Sequence, residues 1–147
     1  MPGKRKLRAR ADDFAVLARL SAEQQATLLG HTAIDPWEAS PFAWIRMQPP
    51  ARKGAIGVAL VRGWAESAGL RTGRASHSDH DLTICGLKIE VKLSTLWASG
   101  VFKFQQLRDQ DYEHLCLLGL EPQAARLWTV PKLVALQHAR GQHTGAK

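Results

Sequence analysis

Cysteine is scarce: Cys85 and Cys116 are the only two among 147 residues. Two thiols cannot build a disulfide framework and are too few for a cysteine-based zinc centre. Both lie in apolar stretches and are expected to be buried free thiols. No run of about 18 apolar residues is present, so no helix is expected to cross a membrane. The basic start, Met1 to Arg10, lacks an apolar segment behind it, which argues against a secretory signal and for a cytoplasmic protein. Internal repeats and low-complexity segments are missing too. Acidic residues fall short of basic ones, 13 against 20, for a formal charge of +7. That excess suits a polyanionic partner, most commonly a phosphate backbone. Charge alone does not separate a nucleic-acid binder from a merely soluble basic protein.

The composition, 45% hydrophobic, is ordinary for one globular domain with an appended arm. Residues 1–10 read as a basic arm, a solvated tail or a grasp on phosphate. Phe14, Leu17, Ala18, Leu20, Leu28 and Leu29 have helical spacing; Ser21 and Gln24 resemble a capping box that opens a second helix, stopped by Gly30. Pro36, Trp37, Pro41, Phe42, Trp44, Pro49 and Pro50 make an irregular, aromatic-pinned linker, so residues 1–50 are expected to form an extension. The main domain is expected over 51–140, followed by a polar tail from 141. Within it, Ile56, Ala59, Leu60, Gly63, Trp64 and Ser67 mark one face of a helix from Lys53 to near Gly69. Strands are expected at 70–75, 81–84, 87–93, 112–120 and 126–130. A short helix at 104–109 and a C-terminal helix opened by Pro131 complete the order. Leu115 to Leu118 is apolar on both faces, which suits an interior strand. The class is therefore α/β, a mixed sheet flanked by helices.

The segment from Asp81 to Lys92 carries the chemistry. With Cys85-Gly86 as a two-residue turn, Ile84 faces Leu87, Thr83 faces Lys88, Leu82 faces Ile89 and Asp81 faces Glu90. Alternation puts Leu82, Ile84, Leu87, Ile89 and Val91 on one face. Asp81, Thr83, Lys88, Glu90 and Lys92 then share the other. Two carboxylates directly across from one another repel unless a cation lies between them. Mg²⁺ suits the place, since it takes one or two carboxylates and keeps room for water and phosphate oxygens. Lys92 on the same face could steady charge on a phosphate. A solvated sheet face, with Lys88 and Lys92 neutralising the two acids, explains the same residues without function.

An Asp, then about nine residues, then Glu90-Val91-Lys92, on a hairpin behind a helix that opens Arg52-Lys53-Gly54, resembles the PD-(D/E)XK superfamily of restriction-endonuclease-like nucleases. The resemblance covers roughly residues 53–132 and takes in the stretch from Phe104 to Tyr112. It implies a restriction-endonuclease-like core and Mg²⁺-dependent hydrolysis of DNA, with Mn²⁺ as a possible substitute. It assigns metal binding to Asp81 and Glu90, positioning of the attacking water to Lys92, and support to Gln106 or Gln105. Within the class it points first to a restriction-type enzyme, with a Holliday-junction resolvase as the rival; a non-catalytic DNA-binding module that kept the fold is the alternative from another class. Cutting both strands implies a homodimer, with the segment around Trp37–Trp44 as a candidate contact. Relatives of this kind carry a glutamate early in the first helix, where this chain has Ile56, Gly57 and Val58; Glu66 or Glu38 could stand in.

Other residues carry weaker signals. Asp79 shares parity with Asp81 and could support the metal. His77 and His80 could mimic a metal cluster, though imidazole suits zinc better than magnesium. Ser94 continues the polar face and is a candidate contact to DNA phosphate. Lys53, Lys103, Arg108 and Lys132 are candidate DNA-backbone contacts. Trp37, Trp44, Trp64, Trp97 and Trp128 are expected as core or interface anchors rather than base-stacking platforms.

Overall fold

The computed structural model describes residues 11–29 and 35–139. The chain divides into two compact units, Met1–Asp35 and Pro36–Lys147. In the first, α1 (Ala11–Leu29) is a single helix. The break expected at Ser21 does not occur: Ala, Glu and Gln follow it with no proline or glycine to stop propagation, and Arg19 and Glu23 pair across one turn at 4.0 Å. The basic arm, the stop at Gly30 and the tail from Gly141 lie outside the described residues.

The second unit holds α2 (Ala43–Arg46), α3 (Pro50–Ser67), β1 (Thr72–Arg74), β2 (Leu82–Ile84), β3 (Leu87–Thr95), β4 (His114–Glu121), β5 (Ala124–Pro131) and α4 (Lys132–His138). The expected extension thus gives up its last third to this unit. Trp37 is buried, and Ile45 is part of the main core. The five strands lie in chain order, β1-β2-β3-β4-β5, antiparallel except for the parallel pair β3-β4. The protein is a mixed α/β fold with helices on both faces of that sheet. Among the described residues no helix is long and apolar enough to cross a membrane.

The hairpin folds as its alternation requires. Cys85 and Gly86 take φ of 50° and 81°, the paired left-handed conformation of a type I′ turn. The register is Leu82 with Ile89, Thr83 with Lys88, Ile84 with Leu87. Two expectations fail at this turn. Cys85 is exposed, because a turn residue projects away from the sheet, and Leu87 beside it is 42% exposed.

Pro50 opens α3 at its first position, where a missing N–H is harmless. The helix buries Gly57, Val61 and Ala65, not the expected stripe; Ala59, Leu60, Gly63, Trp64 and Ser67 are exposed. Small residues decide which face goes in. A Cβ on Gly57 would come within 3.2 Å of the Leu93 Cβ, so the helix packs closely on β3 there. This layer joins Val61 and Ala65 to Leu82, Ile84, Ile89, Val91, Cys116, Leu118 and Leu120. The opposite face has a smaller cluster of Tyr112, Leu115 and Ala135, with Leu107, Leu117 and Val130 against it. Strand β4 is thus interior and apolar on both sides, as expected.

The helix expected at 104–109 is absent. Residues 101–110 cross from β3 to β4 without regular structure, although such a crossover is usually helical. Phe102 and Phe104, two residues apart, both pack on Trp128, with ring centroids 5.8 and 6.2 Å away. Side chains at i and i+2 share a side in extended chain, not in a helix. Gln106 has a φ of 58°, which a helix cannot contain. The Phe102 ring lies on Gly119, where a Cβ would meet three ring atoms at 2.9–3.0 Å. Since that ring is held by Phe104 and Trp128, Gly119→Ala is expected to destabilise the fold by roughly 1–3 kcal/mol, the usual cost of overpacking. Chemical denaturation measures this, and an unchanged midpoint would mean the aromatic cluster yields freely.

Candidate active site

Strand β3 sends Ile89, Val91 and Leu93 towards α3, so alternation sends Lys88, Glu90, Lys92 and Ser94 to the other face. Asp81 lies one residue before β2, just past the end of its ladder. Its N–H donates to Ile89 O at 2.8 Å, and its Oδ2 accepts the Val91 N–H at 2.7 Å. The side chain thus continues the pairing that the short strand abandons, and it fixes this carboxylate beside Glu90.

Glu90 is largely enclosed, its side chain 14% exposed, and the Lys92 Nζ stands 3.3 Å from its Oε1. Burial, then the negative charge of Asp81, push the Glu90 carboxyl above its ordinary range; Lys92 and Arg108 pull it back only in part. Arg108, named from sequence as a backbone contact, therefore also acts on the carboxylate pair. Tyr112 donates its hydroxyl to Arg108 O at 2.6 Å. Its phenol is pushed up to about 12 by burial and by Glu90 and Asp109, so it remains protonated at neutral pH and is no general base.

A raised carboxylate in the native state has a stability consequence of definite sign. Stability is greatest where the group is protonated in both folded and unfolded chains, and it declines as pH rises through the folded value. Glu90→Gln removes that penalty and is expected to raise Tm by a few degrees at neutral pH in chelator, the gain vanishing at acidic pH. Millimolar Mg²⁺ should narrow the gap by stabilising the parent chain alone. A lower Tm for Glu90→Gln at neutral pH would mean that the Lys92 ion pair outweighs both burial and repulsion.

Beyond Lys92, at the C-terminal end of β3, opens a cleft of about 370 Å³. It is lined by Lys53 from the first turn of α3, by Lys92, and by Lys103 from the crossing segment. Ser94, Gln105, Gln106 and Trp97 also line it, and no carboxylate does. The sequence thus names most of this wall. Ser94 is nonetheless buried, and its Oγ accepts the Lys103 N–H at 3.0 Å and donates to Thr95 O at 3.2 Å. It thereby ties the crossing segment to β3 at the cleft wall. Gln106 holds its left-handed backbone at the cleft wall, a conformation that costs of order 1 kcal/mol and often marks functional segments. A larger groove, about 580 Å³, lies between the crossing segment and α4. Its walls are mostly apolar, with Phe104, Leu107, Leu117 and Val130, and Lys103 and His138 are its basic residues.

Several expected participants are engaged elsewhere. The Lys88 Nζ lies 2.7 Å from the Asp111 Oδ2, so it does not neutralise Asp81 or Glu90. Glu66 accepts the Thr72 hydroxyl at 2.7 Å; Glu38 is exposed. Asp79 sits in the loop before β2, where strand parity does not apply, and its N–H donates to the His77 Nδ1 at 3.3 Å. His77 reaches Asp111 at 2.9 Å and meets His80 edge-on at 4.7 Å. Lys132 bonds Gln110 O and pairs with Asp109, a structural tie rather than a phosphate contact. Among the described residues no group of three His, Cys, Asp or Glu side chains converges on a metal position. Gly57, one of the three positions where the resemblance expects a glutamate, is pressed against Val91 and Leu93, on the face opposite Glu90.

Of the tryptophans, Trp37 is buried, with Arg46 stacked 5.4 Å from its ring. Trp44, Trp64, Trp97 and Trp128 are 40–55% exposed, so of the five expected core or interface anchors Trp37 alone is a core residue. Sequence reasoning passed over Trp97 as a ligand contact. Its position three residues past Ser94, between β3 and Lys103, was the available signal. No family model matches the chain, and no curated protein matches it in sequence.

Proposed function

We propose that this chain is a Mg²⁺-dependent endonuclease that hydrolyses DNA phosphodiester bonds, a variant of the restriction-endonuclease-like, PD-(D/E)XK design. The observation that carries the reading is the half-buried Asp81–Glu90–Lys92 group opening beside a cleft with three lysines. The donor set fits a divalent cation: both carboxylates offer hard oxygen donors, and the Glu90 side chain is largely enclosed beside the charge of Asp81. Asp81 and Glu90 would hold Mg²⁺, or Mn²⁺ in its place. When bound, the cation would supply Lewis acidity toward a phosphodiester oxygen.

The chain's own groups do the rest. The Val91 N–H orients Asp81. Glu90 holds the Lys92 ammonium at the cleft edge, where it can steady a water or the charge building on phosphate. Gln106 and Gln105 border that space, and Lys53 and Lys103 grip the neighbouring backbone. Paired cleavage of a duplex calls for two such sites, and a homodimer would supply them; with Trp37 buried, exposed Trp44 is the aromatic left in the expected contact.

The test is incubation with linear, supercoiled and branched DNA, in Mg²⁺ and in chelator. Discrete products in Mg²⁺ alone support the reading, and preference for the branched form would assign junction resolution rather than restriction. The second reading, a DNA-binding module without catalysis, is favoured by the closed position at Gly57, which removes a third acidic ligand. DNA affinity with no metal-dependent cleavage on any substrate would select it.

A further inference from the structure

The cleft beside Lys92 is larger than a phosphate needs. Its volume of about 370 Å³ falls in the range of small-ligand sites, roughly 300–1,000 Å³. The backbone of an intact duplex needs only a surface of positive charge, because its bases remain stacked inside the helix. This cleft also has an aromatic wall. Trp97 is 45% exposed, yet its backbone is pinned: its N–H donates to Val101 O at 3.0 Å, and its carbonyl accepts the Gly100 N–H at 2.9 Å. Gly100 closes this turn at a φ of 80°. The Lys103 ammonium lies over one face of the Trp97 ring, 3.8 Å from its centre, so a base would take the other face; the Lys103 backbone is held by Ser94. Ring and ammonium are thus presented together by fixed backbone.

We infer that the Lys53–Lys92–Lys103 cleft, with Trp97, is a subsite for one unpaired nucleotide of a DNA strand, its phosphate among the lysines and its base on the indole. A positive groove combined with an aromatic side chain is how single strands are held without regard to sequence. The first turn of α3 adds to the field: it has no acidic residue, and its positive end is presented by Pro50 and Lys53 at the cleft wall. The preferred substrate is therefore DNA with a flap, gap or single-stranded end beside a duplex, and the adjoining bond reaches the Asp81–Glu90–Lys92 group. This deepens the nuclease reading and rests on it for the cut, though not for the binding.

The test is fluorescence anisotropy of the full chain in chelator, with a blunt duplex and with the same duplex bearing a short single-stranded flap. The parent chain should bind the flapped DNA roughly tenfold more tightly, the effect of one base–aromatic stack. Trp97→Phe should keep most of that ratio, and Trp97→Ala should bring it close to one. Trp97→Leu fills similar space without a π face and should also lose the ratio, which covers the case in which the alanine variant does not fold. Equal affinity of the parent chain for both DNAs, or a ratio retained by Trp97→Leu, overturns the subsite. Because no metal is present, a preference without cleavage in a parallel Mg²⁺ assay would sink the nuclease reading and leave the subsite standing.

Discussion

Lys92→Ala is expected to lower Mg²⁺-dependent DNA cleavage by on the order of 10²-fold or more, the usual effect of losing a positioned charge beside a developing negative one. Its fold should survive. Lys92 belongs to neither apolar cluster, and its ammonium touches Glu90 at the edge of the cleft. Removing it takes away one of the two cations that pull the Glu90 carboxyl down, so the variant should be slightly less stable at neutral pH than at mildly acidic pH. Lys88→Ala is the matched control. It removes the same charge from the same face of β3, but that ammonium is paired with Asp111, so cleavage should continue at the parent rate. Equal activity of Lys92→Ala and the parent would place the chemistry elsewhere and return the hairpin to a solvated, charge-balanced surface.

Asp81 separates a structural from a catalytic role within one side chain. Asp81→Asn retains an oxygen that can accept the Val91 N–H, whereas Asp81→Ala leaves that part-buried N–H without its partner. Both should lose cleavage to the same extent as Lys92→Ala, since neither offers a charged ligand to a cation. Only the alanine variant should also lose stability, by about 1 kcal/mol, the net contribution of a typical hydrogen bond. Denaturant melts beside cleavage rates test this. Retained activity in Asp81→Asn would remove Asp81 from the metal site, and equal stability of the two variants would mean that the Val91 hydrogen bond is replaced by water.

The hairpin was legible because two local signals agreed. The alternation of Leu82, Ile84, Ile89 and Val91 requires one register, and Cys85-Gly86 supplies a turn that produces it. The interior place of β4 followed from Leu115 to Leu118 for a similar reason. What failed depends on contacts distant in sequence. Phe104 to Asp109 has good helix formers, yet Trp128, Gly119 and Ser94 hold the crossing segment extended, and none of these lies within it. The buried face of α3 differs from the expected one because hydrophobic bulk suggested Leu60 and Trp64, while close packing on Val91 and Leu93 selects Gly57, with Val61 and Ala65 buried on the same helix.

The candidate site divides along the same line. Asp81, Glu90 and Lys92 could be placed together from the hairpin alone, and Lys53, Lys103, Gln105 and Gln106 do gather at one cleft with Lys92. That Lys88 prefers Asp111, or that Ser94 serves Lys103, depends on how residues 101–113 return across the sheet. Alternation along β3 gives the face of a side chain but not its partner.

Whether the Asp81–Glu90 pair holds a divalent cation can be measured without knowing the DNA substrate. Mn²⁺ binding, followed by water-proton relaxation in the DNA-free protein, should be detectable, should be competed by Mg²⁺, and should disappear in the Asp81→Asn, Glu90→Gln double variant. Mn²⁺ binding of equal strength in parent and double variant, or none in either at millimolar metal, would contradict the account.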